Sequence, residues 1–142
     1  MHSQTSKFLS LSLTERSLVC TAAALLLTSR LLLPVAGLDR TYRYVDRLAR
    51  VLPPYTMVHD PDRIPWALAV ADSALPVTCA CLANAIVGER LLGHHGHRAH
   101  IRLGVDTRGE FEAHAWVEHS DEIVIGEVEE HARFQLLSTY GS

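Results

Sequence analysis

Apolar residues follow two different periods along the chain. From Leu13 to Leu92 they recur every three or four residues, and from Ala99 to Val128 they alternate. Ser12 followed by Glu15 is a capping box, so a helix is expected to begin near Leu13. It runs through the apolar stretch Ala22 to Leu27 and on to Leu33, where Pro34 and Gly37 end it. Residues 38–51 form a second, amphipathic helix. Leu38, Tyr42, Val45, Leu48 and Ala49 face inward, and Asp39, Arg40, Arg43, Asp46, Arg47 and Arg50 face out. Pro53-Pro54 breaks the chain. Asp60 caps a third helix with Pro61 at its first position, and Trp66, Ala67, Val70, Ala71 and Ala74 supply its buried side. Pro76 resets the chain, and Thr78 or Cys79 starts a fourth helix that includes Cys81 to Leu92 and stops at Gly93.

Three strands follow. Ile101, Leu103 and Val105 alternate with His100, Arg102 and Gly104, and Asp106 to Gly109 make a turn. Ala113, Ala115 and Val117 then alternate with His114, Trp116 and Glu118. A second turn at 119–122 leads to a strand from Ile123 to Val128. Helices first and an antiparallel meander after them is an α+β pattern. A loop of Ser120-Asp121, or of residues 119–122, sets His114 opposite Glu127, Trp116 opposite Ile125 and Val117 opposite Val124. Directly opposed residues share a face, with Cβ atoms about 4.5–5.5 Å apart. A slip of one residue would turn Glu127 away from His114.

At 142 residues the chain is read as one domain, long enough to bury roughly two-thirds of its unfolded surface without disulfide staples. A 48% apolar, 20% charged composition excludes a disordered chain. The net charge of −3 and the scattered arginines, with Lys7 the one lysine, argue against nucleic-acid binding. Three cysteines, an odd number, make no disulfide framework and point to a reducing, cytoplasmic setting. The polar start Ser3 to Lys7 lacks the order of a signal peptide. A membrane span needs about 20 apolar residues. Glu15 and Arg16 close one side of the first apolar run, and Thr28, Ser29 and Arg30 interrupt the other. Residues 18–33 therefore read as a buried helix, or one docked on a partner, rather than a membrane anchor.

A thiol at a helix N-terminus sits where unpaired N–H groups and the helix dipole favour negative charge, and those N–H groups can also form an oxyanion hole. Cys79 and Cys81 both fit that position, whereas Cys20, inside the first helix, reads as an inert packed side chain. His114 on a strand is the base such a thiol needs. Glu127 is the carboxylate that the hairpin register offers to orient it, with Glu118 and Asp121 as alternatives. His94, His95, His97 and His100 suggest metal binding, but they lack the spacing of a zinc site and no cysteine pair accompanies them. No metal or cofactor is expected.

These residues resemble a known family. Cys81-Leu82 opening an alanine-rich helix, Leu91-Leu92 with a following glycine, and the strand Ile101 to Val105 carry the likeness. So do Phe111 to Glu118, Ala132-Arg133-Phe134 and Leu13-Thr14-Glu15-Arg16. The chain is similar to the standalone leader peptidase of lasso-peptide biosynthesis, the protease half of a split protein with a transglutaminase-like (papain-like) core. The resemblance implies Cys81 as nucleophile, His114 as general base and an acidic third member, usually aspartate, whose place Glu127 takes here. Cys79 does not match the family's Cys-Leu position. A cysteine protease that removes the leader of a ribosomally made precursor peptide is implied, acting with a separate leader-recognition protein. A separate ATP-using cyclase would then close the macrolactam. Residues 1–54 would be an N-terminal helical segment offering a docking surface, and residues 55–142 the peptidase core, within one compact unit. A transglutaminase-like acyltransferase or amidase would use the same three groups. A non-catalytic binding module with Cys81 merely buried is the remaining alternative.

Overall fold

A computed structural model describes residues 12–75, 81–127 and 134–140. These residues form three helices, α1 (Leu13–Val51), α2 (Arg63–Ala74) and α3 (Cys81–His94). They also form four strands, β1 (His100–Asp106), β2 (Glu112–His119), β3 (Glu122–Ile125) and β4 (Gln135–Tyr140). The architecture is α+β, as the change of period indicates.

The capping box starts α1 as expected. The Glu15 amide donates to Ser12 Oγ at 3.1 Å, and the Ser12 amide donates back to the Glu15 carboxylate. The two expected helices are two arms of α1; the break between them falls at Gly37, as expected, while Pro34, also expected to end the first helix, lies inside it. Gly37 has φ 82° and ψ 179°, a conformation essentially restricted to glycine. Leu18, Ala22, Leu25, Leu26 and Ser29 are buried on the first arm, and Thr41, Val45 and Ala49 on the second. Both sets follow the helical period.

The other helix ends also differ from the sequence expectation. α2 begins at Arg63 with Asp62 as its cap residue, and Pro61 stays in the preceding turn. That turn is held by the Asp62 amide donating to Asp60 Oδ1 at 3.0 Å. α3 continues one residue past Gly93, and Gly96 (φ 81°) is the true stop. The His97 amide donates to the Leu92 carbonyl at 2.8 Å and the Gly96 amide to the Gly93 carbonyl at 3.1 Å, a Schellman motif. Thr78 and Cys79, the expected start of this helix, lie outside the described residues.

The sheet order is β3-β2-β1-β4, all antiparallel. β1 to β3 are the expected meander. β4, which the hydrophobic pattern does not announce, returns to pair with β1, so the four strands have Greek-key order. Ile101, Ala115, Val117 and Ile125 face the helices and share one core with Leu25, Leu26, Ile64, Leu68, Ile86 and Leu92. Gly88 allows α3 to approach β3 closely, since a Cβ there would overlap Ile125 Cδ1.

A polar cluster fixes α3 against the second arm of α1. Glu89 is fully buried and accepts from Arg90 at 2.5 and 2.6 Å and from Tyr42 Oη at 2.7 Å. Arg90 also donates to Asp46 at 2.8 Å, which in turn holds His94 at 3.0 Å. Asp46 thus points inward, contrary to the sequence expectation. Burial alone would raise its pKa, but the hydrogen bonds from Arg90 and His94 outweigh that and hold it below the usual carboxylate range. Tyr140 on β4 packs edge-on against Tyr42 and donates to Asp39, so the last described strand joins the same cluster.

Candidate active site

Cys81 is the first residue of α3, a free, half-buried thiol packed against the edge of the core. α3 lies on β2, and it touches β1 and β3 less extensively. His114 sits in β2 opposite Gly104 of β1. Its ring stacks on Trp116, with centroids 6.0 Å apart and planes at 22°, and meets the Phe134 ring at 5.3 Å. Gly104 makes room for this aromatic group. A Cβ there would stand 2.8 Å from the Trp116 ring and 3.1 Å from Phe134 Cβ.

The hairpin holds the main departure from expectation. Ser120 and Asp121 form the two-residue turn, both with positive φ (52° and 64°), and the pairs His119–Glu122 and Glu118–Ile123 match the expected register. The register then shifts: Val117 pairs with Ile125, so Val124 is an extra residue in β3. Neither Trp116–Ile125 nor Val117–Val124 is formed. The shift places Ile125 beside Val117 on the helix-facing side, where Ile125 packs over Gly88. The ladder ends at Ile125, so the expected opposition of His114 and Glu127 is not made, and the Glu127 side chain is exposed.

In place of that pairing, His114 Nε2 lies 2.6 Å from the Gly126 carbonyl oxygen. Glu118 is engaged elsewhere: Arg102 Nε donates to it at 2.8 Å and Trp116 Nε1 at 3.3 Å. Asp121 is an exposed residue of the turn. Cys79, Ala132 and Arg133 lie outside the described residues.

Gly126 also lines a cavity of about 210 Å³ between α2, α3 and β3, together with Pro65, Leu68, Asn84, Val124 and Ile125. Asn84 follows Cys81 by one turn of α3, and its buried Oδ1 has no hydrogen-bond partner among the described residues. Gly126 is therefore common to the histidine and to the cavity beside the first turn of the thiol-bearing helix. Among the described residues no hydrogen bond joins the Cys81 thiol to the His114 ring. His114 alternates along β2 with Ala115 and Val117, which face the helices, and its ring packs instead with Trp116 and Phe134.

The histidine run is structural where its bonds are described. The His95 Nδ1 accepts from the Val58 amide at 3.0 Å, and His97 Nε2 donates to the Val58 carbonyl at 2.7 Å. Together they pin the loop before α2 to the end of α3. Burial, reinforced by His94 and His97, lowers the His95 pKa. Cys20, expected to be packed inside its helix, is instead exposed. No group of three or more metal-ligating side chains occurs among the described residues.

The sequence reading missed Gly126 as part of the site, and it had only the Phe134 motif without its contact to His114. A lone glycine at the end of a strand was the available signal, since it often marks a bulge or a close backbone approach. A family model described as the transglutaminase-like superfamily matches residues 23–139. No curated protein and no solved structure matches the chain. With that match over most of its length, and with a cysteine heading the helix that lies on a histidine-bearing strand, the chain belongs to the transglutaminase-like superfamily, whose fold is of the cysteine-protease and acyltransferase type.

Proposed function

We propose that this protein is the leader peptidase of a lasso-peptide pathway, a cysteine protease that cuts one peptide bond of a ribosomal precursor. The observation that carries the reading is that Cys81 heads α3, the helix lying on β2, and that β2 holds a His114 whose Nε2 is bonded to a carbonyl. A carbonyl oxygen only accepts, so Nε2 carries a proton, and the lone pair of the neutral ring is on Nδ1. Nδ1 takes the Cys81 proton as the sulfur attacks the scissile carbonyl. The N–H groups of the first turn of α3 receive the oxyanion. His114 returns the proton to the departing core amine, leaving the leader as a thioester on Cys81. A water, deprotonated by His114, then releases the leader carboxylate and the thiol. The freed amine is what an ATP-using cyclase needs to close a macrolactam.

A separate leader-recognition protein would bring the precursor. The outer side of α1 supports a docking role, because Leu27, Leu31 and Val35 are exposed there in line with Cys20. α1 is also long and apolar enough to cross a membrane by composition, with a window of mean hydropathy 1.9. Leu18, Ala22, Leu25 and Leu26 of that run are buried in the core shared with α2 and α3. Mass spectrometry of a precursor peptide incubated with the protein and its recognition partner tests the reading. Cleavage at one bond is expected, lost in Cys81→Ala and His114→Ala. Acyl transfer to an added amine without hydrolysis would favour the acyltransferase reading instead.

A further inference from the structure

We infer that the main-chain carbonyl of Gly126, rather than the Glu127 carboxylate, positions the His114 ring for catalysis. This rests on the peptidase reading for its kinetic consequence and on the geometry alone for its structural one. The Nε2–oxygen distance of 2.6 Å is that of a close hydrogen bond, just under the usual range of about 2.7–3.2 Å. It fixes the tautomer with Nε2 protonated, which is what an orienting acid does in a Cys–His–acid triad.

The carbonyl is held where it is by features that only glycine allows. Gly126 has φ 83°, and a Cβ there would stand 2.9 Å from the Ala115 carbonyl oxygen and 3.3 Å from Trp116 Cα. The end of β3 can therefore lie this close to β2 only without a side chain. The extra residue Val124 sets the register that brings Gly126 against Trp116, two positions from His114. Trp116 and Phe134 flank the ring, and the Gly126 carbonyl holds its Nε2 edge. Glu127, one residue on, is exposed and no longer opposite His114.

A neutral carbonyl differs from a carboxylate in a measurable way. It sets the tautomer but adds no titrating charge beside the imidazolium. Removing the charge of Glu127 should then leave the catalytic pH profile in place. The test has two independent arms. Long-range proton–nitrogen correlation spectra of labelled wild-type protein, taken without substrate, report which His114 nitrogen carries the proton. The Nε2–H form is expected in wild type and in Glu127→Gln alike. In peptide cleavage, Glu127→Gln should keep kcat within about twofold and the acid limb of kcat/KM unmoved. Gly126→Ala should lose the Nε2–H preference. It should also lower kcat by roughly ten- to a hundredfold with little change in KM, short of the ~10²–10⁴ that a general base contributes. An Nδ1–H tautomer in wild type overturns the proposal. So does a Glu127→Gln enzyme whose acid limb shifts or whose kcat falls as far as that of His114→Ala. If Gly126→Ala does not fold, the wild-type and Glu127→Gln tautomers still decide. If wild type does not cleave peptide, the peptidase reading fails while the tautomer result stands separately.

Discussion

Arg90→Met should be among the most damaging single changes outside the site. The Glu89 carboxylate beside it is fully buried, and Arg90 donates to both of its oxygens at 2.5 and 2.6 Å. Methionine keeps much of the arginine's volume, so little cavity forms and the loss is electrostatic. Taking one partner from a buried pair costs about 3–5 kcal/mol, because the remaining charge is left in a poor solvent. Asp46 loses its Arg90 bond as well, but it retains His94 and Arg50 and is closer to water. A domain of this size loses roughly 3–4 °C of Tm per kcal/mol, so calorimetry should show a fall of about 10–20 °C. The double variant Glu89→Leu with Arg90→Met removes both charges and should recover most of that, because apolar replacement of a buried pair is often neutral or better. A single variant that costs under ~1 kcal/mol, the value of an exposed pair, would refute this reasoning. So would a double variant no more stable than Arg90→Met.

Other outcomes follow from particular residues. His95 accepts from the Val58 amide and its pKa is lowered by burial, so the folded state disfavours its protonation. The stabilisation is complete above the unfolded value of about 6.5 and is lost as pH falls below it towards the folded value. Urea midpoints at pH 7.5 and 5.5 should separate in wild type and converge in His95→Asn; equal separation in both would contradict the assignment. Gly37→Ala meets no atom within 4 Å but must hold φ 82° and ψ 179°, so it should cost about 1–3 kcal/mol in denaturant unfolding. An unchanged midpoint would show that the bend in α1 is not needed. Cys20 is exposed and must be replaced before thiol reactivity is read. In a Cys20→Ser, Cys79→Ser background, one fast-alkylating thiol at neutral pH is expected, and its absence would favour a binding module.

Much of this fold is legible from the sequence because local rules and burial agree. The Ser12–Glu15 box, the inward faces of α1 and the alternation of β1 and β2 each state one structure. The misses have physical causes. Of the two residues expected to end the first helix, Pro34 stays inside it, and the bend falls at Gly37 alone, which can adopt a backbone state closed to other residues. Gly93 looks like a stop, yet Gly96 can complete the Schellman bonds. β4 lies at a sheet edge, and from Gln135 to Thr139 every residue is exposed, so it has no alternation to read. Ser120-Asp121 gives the hairpin turn correctly. The Val124 bulge is set by the fit of Ile125 against α3, a tertiary demand that strand periodicity does not carry. That single residue separates the expected His114–Glu127 pair from the observed bond to Gly126.

The decisive measurement is mass spectrometry of a precursor peptide incubated with this protein and a leader-recognition partner, comparing wild type, Cys79→Ala, Cys81→Ala and His114→Ala. Cleavage of one bond by wild type and Cys79→Ala, with none by the other two, is the expected result. Cleavage that survives in Cys81→Ala or His114→Ala would contradict the site assigned to these residues.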